Sequence, residues 1–581
     1  MRFFSSDMSI GRRAGVREAK ASATAFSSIA GSRLSVRLLA STVLCAASLL
    51  PWPGDPAHAA TYTVTQATDD GTGGTPGSLS HAIASATSDG DEIEIAPGIS
   101  EIVVSGPLPD ISAAIRIKSD HAVEITGAAL TSTVSKSLQF DGVSSDVPLT
   151  TDLSGTFNGT GSSVVSGMGF VVTSDADLTG ASGASGQSGN GTIQVGGAGG
   201  SGGVGVSGSL FSWSNSGTVA GGIGGVGGAG GSYGVIADGG DGGTGGDGVS
   251  GDNITLVNSK TIAGGLAADG VTRANAILFT SGVNSLELQE GYVINGTVFA
   301  NGTSDTLILG GAVDATFDAS LIGAQYSGFE TFAKTGSSTW TVTGTSGFAG
   351  TTEIREGTLN LNSNFSSAIS VFSGGTLSGT GTVSNVTLNS GAKVAPGSSI
   401  GTLNVAGDLS FVSGSTYEVE VDKPGHSDKI LATGTVTIDS GATLSIRAEN
   451  GTDDGSTYNV STDYTIISAD AIAGSSFGTV TENFAFLDAS VAYSATEVIL
   501  TLSRSASAFT DKAATPNQKN TAKAIGTLGS GPCTPVPVLS DCPRGRPNRP
   551  FRSFPARPMR ACRARSWSAP GLTAPRSTSA F

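Results

Sequence analysis

Apolar and polar residues alternate in short segments along most of the chain. Between Phe332 and Leu361, Trp340 and Val342 alternate with threonines, and Leu359 and Leu361 flank a single polar residue. A two-residue period of this kind predicts strands with one buried face. Only turn residues rich in glycine separate these strands, and such a unit cannot bury its apolar face alone. The pattern therefore predicts one rung of a stacked β-solenoid.

The same short sequences return downstream, as in the Gly-Thr-Leu triplets at Gly357, Gly375 and Gly401. Their spacing varies, which is expected for a solenoid with loops of different length. The apolar residues predicted to point inward are Trp340, Val342, Leu359, Leu361, Leu403, Val405, Val436, Ile438, Leu444 and Ile446.

These segments resemble the passenger-associated strand repeat of autotransporters, the self-exported surface proteins of Gram-negative bacteria. The likeness continues through APGSSIGTL near residue 400 and ends with VILTLSR at Arg504. The resemblance implies an all-β fold, a right-handed parallel β-helix of the pectin-lyase-like class. It also implies the outer-membrane export machinery as a partner, and host surfaces or neighbouring cells as further partners.

The N-terminus predicts a secretory signal over residues 1–59. Scattered arginines precede the apolar run LLASTVLCAASLL, and Ala57-His58-Ala59 supplies small residues for cleavage. The run is too short to span a membrane, so no transmembrane segment is predicted in the mature chain. Behind Ser78, Leu79 and Ile83 fall at helical spacing. A short helix should therefore cap the open end of the first rung.

Composition divides the mature chain into regions. We predict the cap and first rungs over residues 60–178, a Gly-rich repeat region over 179–270 and a strand-repeat β-helix over 271–430. Junction rungs are predicted over 431–505, a helical linker over 506–530 and a tail over 531–581. We expect the Gly-rich runs to be long loops that leave one corner of the solenoid, because glycine loses the most conformational entropy on ordering.

The tail over 531–581 differs abruptly from the rest of the chain. It is rich in arginine and proline and lacks apolar periodicity, so we expect it to be disordered. The family carries an export barrel here, yet no alternating strands follow. We therefore expect an autotransporter that is truncated before its barrel and stops in the periplasm, with the tail out of frame. A genuine basic tail is the alternative.

The formal net charge of −16 excludes nucleic acid as a partner, because phosphates demand a basic footprint. Candidate catalytic residues are scarce. His81, His121 and His426 are the histidines of the mature chain, and none stands in a nucleophile motif. Turn chemistry explains the paired acids Asp69-Asp70 and Asp453-Asp454. No catalytic residue and no cofactor is predicted.

The segment Gly242 to Ser250 fits the Ca²⁺-binding nonapeptide letter for letter, with Asp247 as its acid. That site is shared between successive repeats, and neither adjoining nonapeptide matches. No metal is therefore predicted.

Two functions remain open. The leading hypothesis is a non-enzymatic surface passenger, an adhesin or self-association module, because a stacked solenoid offers a long polar face for many weak contacts. The alternative is a β-helical polysaccharide lyase or hydrolase, which would need a groove that gathers three or more charged side chains.

Overall fold

The protein is described by a computed structural model that covers residues 59–505, except 133–135, 143–147, 160–161, 191–193 and 233–236, together with residues 515–526. Nearly all its regular structure consists of short parallel strands stacked rung upon rung. The predicted right-handed parallel β-helix is confirmed. Among the described residues, no helix combines the length and the apolar character needed to cross a membrane.

The strands of the first rungs are β1 (Thr61–Val64), β2 (Thr68–Asp69), β3 (Glu92–Ile95), β4 (Glu101–Val104), β5 (Ile115–Lys118), β6 (Val123–Thr126), β7 (Leu130–Ser132), β8 (Leu138–Asp141), β9 (Leu149–Asn158), β10 (Ser163–Met168), β11 (Phe170–Ser174) and β12 (Asp177–Thr179). The Gly-rich region contributes β13 (Val204–Ser209), β14 (Ser212–Asn215), β15 (Thr218–Ala220), β16 (Val249–Asp252), β17 (Thr255–Asn258) and β18 (Thr261–Ala263).

The next rungs contain β19 (Ile277–Ser281), β20 (Ser285–Leu288), β21 (Val293–Asn295), β22 (Val298–Ala300), β23 (Thr306–Leu309), β24 (Ala315–Asp318), β25 (Tyr326–Ser327), β26 (Thr331–Lys334), β27 (Thr339–Thr343), β28 (Thr351–Ile354), β29 (Gly357–Leu361), β30 (Asn364–Phe365), β31 (Ala368–Val371), β32 (Gly375–Gly379), β33 (Thr382–Val383) and β34 (Val386–Leu388). The last rungs contain β35 (Lys393–Pro396), β36 (Thr402–Val405), β37 (Leu409–Phe411), β38 (Thr416–Val421), β39 (Lys429–Ala432), β40 (Thr435–Ile438), β41 (Thr443–Ala448), β42 (Ser461–Ser468), β43 (Ala471–Gly474), β44 (Thr479–Glu482), β45 (Leu487–Tyr493) and β46 (Glu497–Arg504). The helices are α1 (Leu79–Ser85), a 3₁₀ turn (Ala319–Leu321) and α2 (Pro516–Gly526), which lies in the predicted linker.

Strands of successive rungs pair in register and build the faces of the solenoid. In the N-terminal half, one face runs from β1 through β10 and β19 to β25. In the C-terminal half, an 8-stranded sheet runs from β24 to β44, and a 7-stranded sheet ends in the antiparallel pair β46 and β45. The apolar core lies between the faces, because alternate side chains of every strand point inward.

The predicted core positions form continuous columns. Trp340 pairs with Leu359, Leu359 with Leu377, and Leu377 with Val394 along the 8-stranded sheet. Every residue predicted to point inward is buried, and none is more than 1% exposed. The two-residue period therefore identified the buried face correctly.

The predicted cap helix is also present. Helix α1 begins after Ser78, whose hydroxyl accepts the N–H of His81 at 3.2 Å. Leu79, Ala82 and Ile83 on its inner face are buried against the first rung. The cap covers apolar side chains that no preceding rung can cover.

Three Gly-rich hairpins leave the β-helix at one corner on successive rungs. Hairpin I (180–203) connects β12 to β13, hairpin II (221–248) connects β15 to β16, and hairpin III (264–276) connects β18 to β19. Each hairpin has an outgoing and a returning arm. The hairpins are long and leave one corner, as the sequence analysis expected, but the hydrogen bonds that order their arms were not predicted.

The arms of these hairpins bond to one another with a three-residue period. The N–H of Gly183 donates to the carbonyl of Ile223 at 2.7 Å, and the N–H of Gly186 donates to the carbonyl of Val226 at 2.8 Å. Antiparallel bonds with the same period join the outgoing and returning arms. This period is that of the polyproline II conformation, which has three residues per turn and no internal hydrogen bonds. The hairpins form a hydrogen-bonded slab.

The glycine spacing in each arm follows the number of its neighbours. The outgoing arm of hairpin II lies between other arms and reads GGIGGVGGAG, whereas that of hairpin I lies at the edge and reads GASGASGQSG. A Cβ added at Gly225 would come within 2.1 Å of the carbonyl oxygen of Ala184. Ala184 itself is exposed and meets no earlier arm. Close backbone contact and hydrogen bonds therefore offset the entropy cost of ordering these glycines.

Candidate functional site

Ser119, Asp120 and His121 form a compact cluster that contains the three residue types of a serine hydrolase. Asp120 Oδ1 lies 2.6 Å and Ser119 Oγ lies 3.4 Å from His121 Nδ1. His121 Nε2 lies 2.8 Å from the carbonyl oxygen of Ile99. In a working triad the acid holds Nδ1, and the serine hydroxyl meets Nε2. Here both side chains crowd one nitrogen, so the imidazole cannot accept the Ser119 proton at Nε2.

The bonds around this cluster stabilise a turn. The Ser119 hydroxyl donates to the backbone carbonyl of His121 at 2.7 Å, and Ser119 is only 4% exposed. The hydrogen bond with Asp120 raises the pKa of His121, which favours an imidazolium that donates from both nitrogens. The cluster therefore holds the turn before β6 and does not activate a nucleophile.

The other two candidate histidines are each bound locally. His81 Nδ1 lies 2.9 Å from the carbonyl of Gly73 at the cap helix. His426 Nδ1 lies 2.7 Å from Asp422 Oδ2 in the hairpin between β38 and β39. Across the described part of the chain, no three His, Cys, Asp or Glu side chains are grouped so that they could hold a metal ion.

The paired acids serve turns, as the sequence predicted. Asp70 and Asp454 accept the N–H of the residue two positions on, each at 2.9 Å. Asp69 is almost fully buried and accepts the Ser80 hydroxyl at 2.6 Å, which fixes α1.

The nonapeptide Gly242 to Ser250 belongs to the returning arm of hairpin II and continues into β16. Asp247 in this segment accepts the backbone N–H and the side-chain amide of Asn275, both at 3.1 Å. Burial raises the pKa of Asp247. Its carboxylate is thus bound to a neighbouring hairpin, and the absence of metal binding stays a prediction.

A charged cluster that the sequence analysis missed lies on β35, β38 and β41. Glu418 Oε2 accepts Lys393 Nζ at 3.0 Å and Arg447 Nη2 at 2.7 Å. Its side chain is only 13% exposed, because the two cations cover it. These residues lie far apart in the sequence, and only the rung register brings them together. The cluster gathers three charged side chains on the outer surface of one sheet, whereas the hydrolase hypothesis called for a groove.

Two more carboxyl groups adjoin this cluster. Burial, with repulsion from Glu418 and Glu449, raises the pKa of Glu420. Burial raises the pKa of Asp428 to about 7, although its two oxygens accept the N–H groups of Gly401 and Glu420 at 2.8 Å. Asp428 is 1% exposed and cannot meet a substrate, whereas Glu420 is half-buried on the outer surface. Glu420 is therefore the best placed acid for proton transfer here.

A second polar surface lies on β3, β5 and β8, over a groove of about 410 Å³. Arg116 at its centre pairs with Glu92 at 3.2 Å and with Asp141 at 3.8 Å, and donates to the side chain of Gln139 at 3.4 Å. The arrangement offers an ion-paired arginine and polar contacts to a ligand.

Comparison with known proteins finds two similar secreted enzymes, and no protein-family model matches the chain. The chain is 32% identical over 212 residues to an extracellular serine protease of Serratia marcescens, a match that covers 35% of this chain and 20% of the relative. It is 27% identical over 205 residues to a second extracellular serine protease of Serratia marcescens, covering 34% of this chain and 19% of the relative. The match thus spans about a fifth of the relatives' length.

These relatives correct the leading functional hypothesis. The expectation of a non-enzymatic adhesin or self-association module is wrong, because both relatives are named proteases. The expectation that the protein is not an enzyme is wrong for the same reason, and the alternative of a hydrolase agrees better. The extracellular relatives support an exported passenger of the autotransporter type.

Proposed function

We propose that this chain is the β-helical part of an exported passenger of the serine-protease type. The observation that carries the proposal is the similarity to two extracellular serine proteases. The predicted signal sequence over residues 1–59, which lies outside the described residues except for Ala59, and the parallel β-helix support the proposal of export and a passenger role. Within the β-helix, Phe332 to Leu361 and the rungs that follow it are proposed as passenger-associated strand repeats.

We propose that the β-helix acts as a carrier. Among the described residues, the nearest arrangement to a triad is Ser119 with Asp120 and His121, and its Nε2 is occupied by a backbone carbonyl. We therefore assign peptide hydrolysis to the complete secreted protein, and to the stacked rungs a rigid support for it. Outer-membrane export machinery and extracellular protein substrates are the proposed partners.

The experiment assays the complete secreted protein for casein hydrolysis and for labelling by a fluorophosphonate. We expect hydrolysis and serine labelling in the complete protein, none in purified residues 60–505, and full retention in Ser119→Ala. A complete protein that neither cleaves casein nor takes the label would refute the protease assignment. Labelling of residues 60–505 that disappears in Ser119→Ala would refute the carrier role.

A second candidate, hydrolysis of a polysaccharide by carboxyl groups, is favoured by the raised pKa of Glu420 beside Lys393 and Arg447. Glu420→Gln should then abolish release of reducing sugar from acidic and neutral polysaccharides. Glu353→Gln, on an outer strand position elsewhere, is the matched control. No sugar release by the purified wild-type chain would remove this candidate.

The site of accumulation is part of the same proposal. Residence in the periplasm, as opposed to the cell surface, stays a prediction. Labelling of intact cells with a membrane-impermeant reagent tests it, and a labelled chain on whole cells would contradict it.

A further inference from the structure

The slab of Gly-rich hairpins has an open groove where hairpin III ends before hairpin II. The N–H of Gly221 donates to the carbonyl of Ala263 at 2.9 Å, and the N–H of Gly224 donates to the carbonyl of Leu266 at 2.8 Å. The next N–H in this series belongs to Gly227. Among the described residues it meets no backbone acceptor, because hairpin III turns back at residue 270.

On the returning arm of hairpin II, the backbone carbonyls lose their donors at the same place. Its carbonyls at Gly246 and Gly243 accept the N–H groups of Gly265 at 2.7 Å and Ala268 at 3.0 Å. The next carbonyl in the series, that of Gly240, receives no donor from hairpin III. The N–H of Gly227 and the carbonyl of Gly240 therefore stand where the next hydrogen bonds between hairpins II and III would form.

The space beside these groups is open. A Cβ added at Gly245 would lie 2.1 Å from the carbonyl oxygen of Gly265, and one added at Gly242 would lie 2.6 Å from the Cβ of Ala268. At Gly239, one repeat further on, no atom of hairpin III lies within 4 Å. A cavity of about 370 Å³ marks the start of the groove, lined by Val226, Gly227, Gly242, Gly243, Ala267, Ala268 and Asp269.

We propose that this groove binds an extended segment of a partner polypeptide that has glycine at every third residue. The segment would take the place that hairpin III leaves free, with a carbonyl on the N–H of Gly227 and a glycine N–H on the carbonyl of Gly240. Two residues of hairpin III donate to the returning arm of hairpin II in the same series, Gly265 and Ala268. A Cβ at Gly265 would lie 1.9 Å from the carbonyl oxygen of Gly222, whereas Ala268, where the hairpin begins to turn back, carries one. We propose that a segment that continues straight along the line of Gly265 needs glycine at each such position. The proposal is independent of the protease assignment.

The side chains around the groove favour a basic partner. Asp269 lines the groove and is exposed, and Asp238 and Asp241 are exposed on the returning arm that forms its other wall. Val226 lines the groove and is 57% exposed, so it can pack on aliphatic stems. A chain with lysine between its glycines would satisfy both surfaces.

The test measures binding of a fluorescent peptide, (Gly-Pro-Lys)4, to the full chain by anisotropy. Proline holds the free peptide in the polyproline II conformation. We expect saturable binding, at least tenfold weaker binding of (Ala-Pro-Lys)4, and at least tenfold weaker binding of (Gly-Pro-Glu)4. Equal binding of the glycine and alanine peptides would show plain charge attraction and overturn the proposal, as would no binding of (Gly-Pro-Lys)4.

Two matched variants locate the site. Gly239→Val adds its side chain in the open groove, where the nearest atom to the added Cβ is the carbonyl oxygen of Gly228 at 3.3 Å. It should weaken binding at least tenfold. Gly347→Val, at an exposed glycine with no atom within 4 Å of the added Cβ, should leave binding unchanged.

Amide hydrogen exchange is measured over residues 180–248 of the Gly239→Val protein. Protection equal to that of the wild type shows that its slab is folded. Unchanged binding by the folded Gly239→Val protein would refute the groove. Self-association of the wild type that Gly239→Val abolishes would assign the groove to a second copy and refute the partner segment.

Discussion

Replacing Gly225 by alanine tests whether close backbone contact holds the Gly-rich slab together. The added methyl carbon would lie 2.1 Å from the carbonyl oxygen of Ala184, so the two arms must separate by more than an ångström. Overpacking of this kind costs about 1–3 kcal/mol. Separation also weakens the bond from the Gly225 N–H to Gly200 and the bond from the Gly200 N–H to Ala184, both at 2.7 Å, at about 0.5–1 kcal/mol each.

We therefore expect Gly225→Ala to lower the free energy of opening the slab by about 2–5 kcal/mol. The sign is informative, because Gly→Ala at an unstrained site normally stabilises a protein by about 0.4–1 kcal/mol through the unfolded chain. Hydrogen exchange is the suitable assay, since the slab can open locally while the β-helix stays folded. Protection of residues 180–248 should fall at least about 30-fold, at about 1.4 kcal/mol per factor of ten.

The control is Ala184→Gly, the opposite exchange at the matching position of the edge arm. Ala184 has no arm on its outer side, so this change should cost no more than about 1 kcal/mol, the ordinary entropic penalty of glycine. Protection of residues 401–421 in the β-helix should be unchanged in both variants. A Gly225→Ala slab that is as protected as the wild type would show that the arms are not packed backbone to backbone.

Two further predictions concern buried carboxyl groups in the β-helix. Asp305 is fully buried and accepts the backbone and side-chain N–H groups of Asn284 and the N–H of Gly302. Asp305→Ala should therefore lower the free energy of unfolding, measured in urea, by about 3–6 kcal/mol. The control Asp314→Ala removes one exposed acceptor and should cost under about 1 kcal/mol. The pKa of Asp428 is raised from 3.8 to about 7, so the folded state binds its proton more tightly, and this contribution to stability is present below about pH 4 and lost as the pH rises through 7. The difference in unfolding free energy between wild type and Asp428→Asn should therefore shift by as much as about 4 kcal/mol against the wild type from pH 4 to pH 8, and a difference independent of pH would contradict the raised pKa.

The sequence predicted the β-helix and its cap because their signals are local. The alternation around Trp340 and Val342 needs only a strand with one buried face, and Ser78 before Leu79 needs only a helix start. Both signals act within a few residues. The folded structure contains both the strand and the helix, because no tertiary contact overrode these local preferences.

The slab and the charged cluster depend on register between rungs, which the sequence does not show. Lys393, Glu418 and Arg447 meet because β35, β38 and β41 stack, and nothing in their local sequence marks them as a group. The slab did leave a signal. The change from one glycine in three in the outgoing arm of hairpin I to two in three in the outgoing arm of hairpin II distinguishes an edge arm from an interior arm, which an argument from glycine entropy alone overlooks.

The three-residue bonding period also limits how these hairpins can change in evolution. Inserting one residue ahead of Ile223 would place Ile223 where Gly224 now passes the neighbouring backbone and Val226 where Gly227 does, and the same shift would follow at every later repeat. Inserting three residues in each of two bonded arms would instead restore every bond beyond the insertion. Lengths in this region should therefore differ between related genes by nine nucleotides or multiples of nine, whereas turns of the β-helix should tolerate insertions of any number of codons.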